Sequence, residues 1–301
     1  MVDNIKASLS EAQKGDSAAF ARLLTLIERV GPKALAVPEL LNPQGAAFRV
    51  GITGPPGSGK STLIGQILTE LSRKKLKIGV LAVDPSSPIS KGAILGDRIR
   101  YSDHFLDENI FIRSLGTRGS LGGLSSSAYL MLRAFDACGF DIVLIETVGV
   151  GQVEVEIMHV ADLVTLVLVP ESGDSIQIMK AGILEIADLY VVNKSDRPGA
   201  AGLMAELEAS LVGVLGGAAS ATGDKKIMMT TAIEGVGVSA LVSEILSAQK
   251  KMDLVKSRAS IARLKEEAKA LLRSEIEAEV YARIDKIKNA QDFKAVVTVS
   301  L

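Results

Sequence analysis

The sequence predicts an α/β fold, in which a doubly wound and mainly parallel sheet carries helical extensions at both ends. Short runs rich in Val and Ile recur along the chain, each bounded by Gly, Pro, Asp or Asn. Most of these runs are continuously apolar, which is typical of strands buried on both faces of a parallel sheet. Helical patterns separate several of the runs, as the crossovers of such a sheet require.

Six of these runs predict the strands. Their ranges are 48–53, 78–84, 142–147, 163–170, 189–193 and 227–231. Apolar residues spaced three and four apart at 16–30 predict an amphipathic helix, which Gly31 and Pro32 end. The interval 85–140 is too long for one crossover helix and is rich in Gly, Ser and Arg, which predicts loops that carry function.

A long amphipathic helix is predicted at 250–288, where charged residues alternate with apolar ones at helical spacing. The pattern does not identify the surface that covers the apolar stripe, so two interpretations stay open. Either the helix folds back on its own domain, or it is an arm that packs on a second subunit or another partner.

The composition excludes several classes of protein. Lys and Arg total 34 and Asp and Glu total 35, so the net charge of −1 offers no basic surface for a nucleic acid or an anionic membrane. A single cysteine, Cys138, permits no internal disulfide and no thiolate metal cluster. The N-terminus has no apolar signal core, and no apolar stretch is long enough to span a bilayer. We therefore expect a soluble, cytoplasmic protein.

A phosphate-binding loop follows the first predicted strand. The sequence GPPGSGKS matches the pattern GxxxxGK[ST], and a helical pattern follows it, which is the strand–loop–helix order of a P-loop NTPase. In such a loop the backbone N–H groups surround the phosphates, the lysine reaches the β- and γ-phosphates, and the serine hydroxyl binds Mg²⁺. The residues predicted to hold the nucleotide here are Gly54, Pro55, Pro56, Gly57, Ser58, Gly59, Lys60, Ser61 and Thr62.

Two carboxylates end predicted strands and are candidates for the metal. Glu146 ends the strand at 142–147 and begins the segment ETVG, in which the backbone N–H of Gly149 could contact the γ-phosphate. Asp84 ends the strand at 78–84, at the sheet edge where α/β proteins bind ligands, and could orient Mg²⁺ waters or the attacking water. With Lys60, these residues form the predicted catalytic set.

A guanine-binding motif follows the strand at 189–193. Asn193, Lys194 and Asp196 form the pattern NKxD, in which the Asp carboxylate can accept hydrogen bonds from guanine N1–H and N2–H₂, a donor pair that adenine lacks. Thr231 and Ala232 follow the next strand, in the position expected for a backbone contact to guanine O6. GTP and GDP are therefore the predicted nucleotides, and the domain is a G domain.

The residue directly after Gly149 is not the glutamine that positions water in many GTPases, since the chain continues Val150-Gly151-Gln152. We therefore expect slow intrinsic hydrolysis that depends on a partner or on rearranged loops.

Several segments in one order resemble the MeaB/ArgK-like GTPases. They are GITGPPGSGKST, VDPSSPISKGAILGDRIR, IETVGVGQVE, VPESGDSIQIMKAGILEIAD and VVNKSD. This family belongs to the metal- and cofactor-delivery branch of P-loop GTPases. The resemblance implies a homodimer that uses GTP binding and hydrolysis to gate cobalamin delivery to, and protect, an adenosylcobalamin-dependent acyl-CoA mutase of the methylmalonyl-CoA mutase type.

The resemblance also implies roles for individual residues. Lys60, Ser61, Asp84, Asp97 and Glu146 look like the family's Mg²⁺ and phosphate set. The residues that look like its additional switch, which passes the nucleotide state to the mutase, are Asp174, Gln177 and Lys180. The chain then divides into an N-terminal helical extension (1–47), a P-loop GTPase domain (48–247) and a helical arm (248–301) for dimerisation or partner contact.

Other functions stay open. A nickel-delivery GTPase would resemble this chain in both nucleotide motifs, but His104, His159 and Cys138 are not in a ligand spacing. A kinase linked to arginine and ornithine transport would need an acceptor-hydroxyl base, which the sequence does not reveal. A binding module with a merely structural nucleotide would bind its partner equally well in the GDP and GTP states.

Overall fold

The computed structural model describes most of the chain. The described residues are 1–84, 101–116, 124–147, 153–170, 183–214, 225–254, 257, 260–285 and 287–288. All the strands described belong to one seven-stranded sheet with the order β3-β2-β4-β1-β5-β6-β7, and each neighbouring pair is parallel. The strands are β1 (Phe48–Thr53), β2 (Ile78–Asp84), β3 (Ile110–Gly116), β4 (Ile142–Thr147), β5 (Leu163–Leu168), β6 (Leu189–Asn193) and β7 (Lys226–Thr230). The predicted fold class is confirmed.

Helices cover both faces of the sheet. They are α1 (Val2–Gln13), α2 (Ser17–Val30), α3 (Pro38–Leu41), α4 (Lys60–Ser72), α5 (Ser126–Ala137), α6 (Val153–Val160), α7 (Ile183–Ile186), α8 (Ala200–Val214), α9 (Val238–Lys251) and α10 (Ile261–Ile284). Short 3₁₀ helices lie at Gly31–Ala36, Ser102–His104 and Ala232–Glu234.

Successive residues of β4 enter two different cores, because side chains alternate across a sheet. In β4, Ile142 and Leu144 join the core beneath α4 and α9, whereas Val143 and Ile145 join the core beneath α2, α5 and α6. Both faces are therefore apolar, which explains why the sequence of β4 is continuously apolar.

The interval 85–140 differs from the prediction, because its described part contains strand β3 and helix α5 as well as loops. β3 is at the edge of the sheet and is only partly buried, and its polar residues Arg113 and Ser114 interrupt the apolar pattern. The guanidinium of Arg113 pairs with Glu28 on α2 at 2.7 Å. An edge strand that faces a helix in this way lacks the sequence pattern of a central strand.

The helices before β1 pack against this same part of the sheet. Asp16 caps α2 by accepting the N–H of Ala19 at 2.9 Å. Phe20 on α2 then packs edge-on against Phe111 of β3 and Phe135 of α5, with ring centroids 4.6 and 5.0 Å apart.

The prediction of one continuous helix at 250–288 is wrong, because α9 ends at Lys251, Met252 is extended and α10 begins only at Ile261. The first half of α10 contacts its own domain: Arg263 donates to the Asp162 carboxylate at 2.9 Å, and Glu267 pairs with Arg133 on α5. Farther along α10, Ile276 and Val280 are exposed. The helix thus folds back on its own domain at one end and leaves an apolar stripe uncovered at the other.

Candidate functional site

The phosphate loop joins β1 to α4, and two of its glycines are required by close contacts. Gly54 has φ +144°, and a Cβ there would lie 2.1 Å from the carbonyl oxygen of Val167 on β5. Gly59 has φ +84°, and its Cβ would lie 2.5 Å from Nδ2 of Asn193. Glycine adopts these conformations without strain and leaves this space, so the loop can pass close to the ends of β5 and β6.

Lys60 is the first residue of α4, and its side chain folds back over the loop. The ammonium donates to the carbonyl oxygens of Gly54 at 2.8 Å and Pro55 at 3.0 Å, and the residue is buried. Phosphate oxygens are stronger acceptors for an ammonium than neutral carbonyls, so this position suits an anionic ligand. Pro56 and Gly57 at the tip of the loop and Thr62 on α4 are exposed.

The environment of the Ser58 hydroxyl favours a ligand in this loop. Ser58 is fully buried, yet its hydroxyl has no hydrogen-bond partner among the described residues. Buried hydroxyls are nearly always paired, so an unpaired one inside a phosphate loop fits a site that a phosphate oxygen would complete.

Ser61 and Glu146 are in direct contact. The Ser61 hydroxyl donates to Oε1 of Glu146 at 2.7 Å, which brings the start of α4 and the end of β4 together. Next to this pair, Thr147 donates to the hydroxyl of Thr53 at 3.0 Å and so links β4 to β1. A hydroxyl beside a carboxylate is the oxygen donor set that Mg²⁺ prefers, so these two side chains fit the ion.

A further group on Glu146 was missed by the sequence analysis. The hydroxyl of Tyr101 donates to Oε2 of Glu146 at 2.5 Å, and Tyr101 is buried. A tyrosine belongs to none of the recognised nucleotide motifs, and the one signal in the sequence is its position just after the segment that contains Asp97.

Asn193 at the end of β6 connects three loops. Its Nδ2 donates to the Ser58 carbonyl in the phosphate loop at 2.8 Å. Its Oδ1 accepts from the Thr230 hydroxyl and from the backbone N–H of Ala232, both at 3.1 Å. The side-chain amide thus donates through its nitrogen and accepts through its oxygen, and so it connects the phosphate loop to the loop after β7.

The rest of the NKxD segment turns outward from the sheet. Lys194 adopts φ +55°, and Ser195 contacts the Thr231 hydroxyl at 3.0 Å. Asp196 follows with an exposed side chain. Its carboxylate is therefore available to a ligand held between this loop and Ala232.

Several predicted site residues lie outside the described part of the chain. The backbone of Asp84 ends β2 beside Gly116 of β3 and Val83 pairs with Thr147 of β4, but the Asp84 side chain is not described. The others that lie outside it are Asp97, Gly149, Asp174, Gln177 and Lys180.

The described residues place the potential metal ligands of a nickel protein apart. His104 contacts the carbonyl of Gly65 through Nε2 at 3.0 Å. Burial raises the pKa of the Cys138 thiol to about 11, so the sulfur is protonated at neutral pH. Within the described ranges there is no group of three or more His, Cys, Asp or Glu side chains that could hold a metal. No helix in those ranges is long and apolar enough to cross a membrane.

The parallel sheet, the phosphate loop between β1 and α4 and the NKxD loop after β6 define the fold of a P-loop GTPase. Comparison with known proteins narrows this class. The chain belongs to the family described as methylmalonyl Co-A mutase-associated GTPase MeaB, whose model matches residues 20–289. The predicted family resemblance is confirmed.

Individual proteins agree with this assignment. A putative GTPase of Pyrococcus abyssi is 48% identical over 212 residues, which cover 70% of this chain and 64% of that protein. The GTPase ArgK of Escherichia coli is 40% identical over 63% of this chain and 59% of its own length. The chain therefore spans less than two thirds of the length of these curated relatives.

A crystal structure of an LAO/AO transport system kinase has the same fold. The TM-score is 0.63 at 23% identity, with 99% of this chain and 97% of that chain covered. The hydrogenase maturation factor HypB of Archaeoglobus fulgidus also shares the fold, with a TM-score of 0.51, 18% identity, and 83% and 100% coverage.

Proposed function

We propose that the protein binds GTP with Mg²⁺, hydrolyses it slowly and uses the nucleotide state to gate cobalamin loading and protection of an adenosylcobalamin-dependent acyl-CoA mutase. The observation that carries the nucleotide part is the contact between Asn193 and the phosphate loop, 2.8 Å from Nδ2 to the Ser58 carbonyl. This contact joins the proposed phosphate-binding loop to the proposed base-binding loop, which supports a single nucleotide site.

The choice of guanine rests on Asp196. Its carboxylate accepts hydrogen bonds only, so it pairs with the two N–H donors at N1 and N2 of guanine. Adenine presents no such donor pair on that edge. The backbone N–H of Ala232 donates to Asn193, which supports the proposal that Thr231 and Ala232 form the opposite wall of the base site.

For hydrolysis, the chain supplies charge and position. Lys60 would donate to the β- and γ-phosphates in place of its present carbonyl partners. Ser61 and Glu146 would hold Mg²⁺, which supplies charge neutralisation on the phosphates when it is bound. Asp84, Asp97 and Gly149 complete the proposed set. No glutamine follows Gly149 directly, so we expect slow turnover by the protein alone.

The partner role is supported by the family description, which names a methylmalonyl-CoA mutase. Asp174, Gln177 and Lys180 are proposed to pass the nucleotide state to that mutase. A ligand shifts a partner only if the two nucleotide states bind it with different affinity, so GTP and GDP forms should differ in mutase affinity.

The first experiment measures turnover of GTP with Mg²⁺, with and without a purified adenosylcobalamin-dependent acyl-CoA mutase from the same organism. ATP is the control nucleotide. We expect stimulation of GTP hydrolysis and no effect on ATP. GTP preference without stimulation would remove the mutase from the proposal, and equal use of ATP would remove the base assignment. Labelled phosphate that appears in protein or amino acid would indicate a kinase.

The base assignment is tested directly by Asp196→Asn. The Asn amide opposes a guanine N–H with its own donor, so GTP affinity should fall about 10- to 100-fold, as the loss of charged hydrogen bonds implies. Binding of inorganic triphosphate should not change. The exposed Glu234→Gln variant in the neighbouring loop is the matched control.

A homodimer is part of the proposal, with α10 as its contact. Ile276 and Val280 are 63% and 47% exposed and lie one turn apart on this helix. Light scattering of the full chain should give the dimer mass, and Ile276→Asp should give the monomer. Leu106→Asp changes a still more exposed apolar residue elsewhere and should stay dimeric. A monomeric wild type would remove α10 from the proposal.

A further inference from the structure

Two hydroxyl groups hold the carboxylate of Glu146, one on each oxygen. Ser61 donates to Oε1 at 2.7 Å and Tyr101 donates to Oε2 at 2.5 Å. Glu146 is 6% exposed, so its charge is largely removed from water and is compensated by such bonds. A carboxylate held at both oxygens has a fixed orientation, because rotation of the group would break both contacts.

The position of Tyr101 is itself fixed by packing. Tyr101 is 1% exposed and belongs to the apolar core beneath α4 and α9. The 3₁₀ helix Ser102–His104 follows it, and His104 contacts the carbonyl of Gly65 on α4 at 3.0 Å. The segment that carries Tyr101 is thus attached to the same helix that begins with Lys60 and Ser61.

We infer that Tyr101 is a positioning residue for the metal-binding end of the nucleotide site. Its hydroxyl keeps Oε2 of Glu146 engaged, which directs Oε1 towards Ser61. This inference rests on the proposed function, in which Ser61 and Glu146 hold Mg²⁺. In this inference Tyr101 acts through its hydrogen bond to Glu146.

The physical reason is that hydrogen-bond partners of a metal ligand set its orientation and its basicity. Without the phenol hydroxyl, Oε2 would lose its donor and the buried carboxylate could turn away from Ser61. Mg²⁺ would then meet a less organised pair of ligands. The phosphate loop and the NKxD loop would keep their contacts, since neither of them includes Tyr101.

The test compares Tyr101→Phe with Tyr190→Phe in the full chain. Tyr190 is a matched control because it is also fully buried, and its hydroxyl donates to backbone carbonyls of Leu184 and Ala187, away from Glu146. Release of a fluorescent GDP is followed as a function of Mg²⁺ concentration and again in EDTA. Thermal unfolding in EDTA reports on the fold.

For Tyr101→Phe we expect the Mg²⁺ concentration that half-maximally slows GDP release to rise about tenfold, as loss of a partner to a metal ligand implies. Release in EDTA should stay within twofold of the wild type, by the same argument that the phosphate and base contacts are intact. Tyr190→Phe should leave the Mg²⁺ dependence unchanged. The split between Mg²⁺ dependence and metal-free release separates a positioning role from a general loss of structure.

Unchanged Mg²⁺ dependence in folded Tyr101→Phe would overturn this inference, as would an equal change in Tyr190→Phe or an equal change in EDTA. A wild-type chain whose GDP release ignores Mg²⁺ would overturn the proposed function as well. If Tyr101→Phe does not fold, His104→Ala takes its place. It removes the contact to Gly65 and should raise the Mg²⁺ requirement about threefold, a smaller effect because Tyr101 keeps its hydroxyl; no rise would overturn the inference.

Discussion

The two ends of the central strands use polar side chains in different ways. At the carboxyl end, the side chains of Lys60, Ser61 and Asn193 contact loop carbonyls or a single carboxylate around the candidate nucleotide site. At the amino end, Arg49 of β1 pairs with Asp136 at 2.5 Å, with side chains 8% and 2% exposed. The amino end thus joins charges of the chain to each other, whereas the carboxyl end places charged side chains around the candidate nucleotide site.

The amino-end contacts also attach the helices to the sheet. Asp136 accepts the N–H of Ala47 at 2.9 Å, just before β1. Asp162, before β5, accepts the N–H of Arg49 at 2.9 Å and also binds Arg263 of α10. The buried ion pairs at the amino end therefore hold the helices on the sheet, so changes there should lower stability. Changes at the carboxyl end should instead weaken nucleotide binding.

The largest expected effect is on stability, from Asp136→Ala. This change leaves the Arg49 guanidinium buried without its carboxylate, and removal of one partner of a buried pair costs about 3–5 kcal/mol. Urea unfolding measures it. Glu244→Ala removes one partner of the more exposed Lys226–Glu244 pair (2.7 Å) and should cost under about 1 kcal/mol. A similar loss in both variants would contradict the distinction between the two pairs.

Lys60→Ala should affect GTP binding more than stability, the reverse of what is expected for Asp136→Ala. Loss of a charged contact to phosphate should weaken GTP binding about 100-fold, while the ligand-free free energy of unfolding should fall by only about 1–2 kcal/mol through the lost hydrogen bonds to the loop carbonyls. Calorimetric titration and urea unfolding give the two quantities. Exposed Lys74→Ala is the control for a lost surface charge. If Lys60→Ala unfolded the protein without weakening GTP binding, the comparison between the two ends would be wrong.

A smaller effect is expected where α10 meets α5. Glu267 pairs with Arg133, and both side chains are mostly buried. Glu267→Ala should lower the free energy of unfolding by about 1–2 kcal/mol, as loss of a charged hydrogen bond implies. On the same helix, Glu279→Ala removes an exposed pair with Arg283 and should have little effect. Equal effects would show that α10 is not attached through Arg133.

The smallest effect concerns pH. Glu156 on α6 is half-buried and accepts the N–H of Leu124 at 2.6 Å. Burial, partly offset by this bond and by His159 and Lys269, raises the pKa of Glu156, and nearby Glu266 raises it further. The folded protein therefore holds this proton more tightly than the unfolded chain.

Relative to Glu156→Gln, the wild type should gain stability as the pH falls from 7 through the raised pKa towards the usual range of a glutamate. That contribution is fully present below the unfolded pKa and is lost as the pH rises through the folded pKa. Because much of the side chain is in contact with solvent, the difference should stay under about 1 kcal/mol. Urea unfolding of both proteins at pH 7 and pH 5 checks it, and parallel pH curves would contradict it.

The central strands could be predicted from the sequence because burial on both faces leaves no alternative to an apolar run. β1, β2, β4 and β6 have the predicted bounds, and β5 ends two residues earlier than predicted. The sequence also predicts the edge strand β7, shifted by one residue, because its sequence Lys226–Thr230 is mostly apolar. β3 could not be predicted in this way, because an edge strand facing α2 tolerates Arg113 and Ser114. Its contact with α2 joins residues 85 positions apart in the chain, Arg113 and Glu28.

The candidate site also has parts that the sequence predicts and parts that only the tertiary structure shows. The sequence by itself determined the phosphate loop and the NKxD segment, because backbone geometry and ligand chemistry demand those residue types at fixed spacing within a few positions. Only the tertiary structure decided which distant groups meet: Asn193 with Ser58, and Tyr101 and Ser61 with Glu146. It also placed α10 against its own domain through Asp162 and Arg133. Local motifs are fixed by short-range sterics and hydrogen bonding, whereas these contacts arise only when the packed sheet brings separate strand ends together.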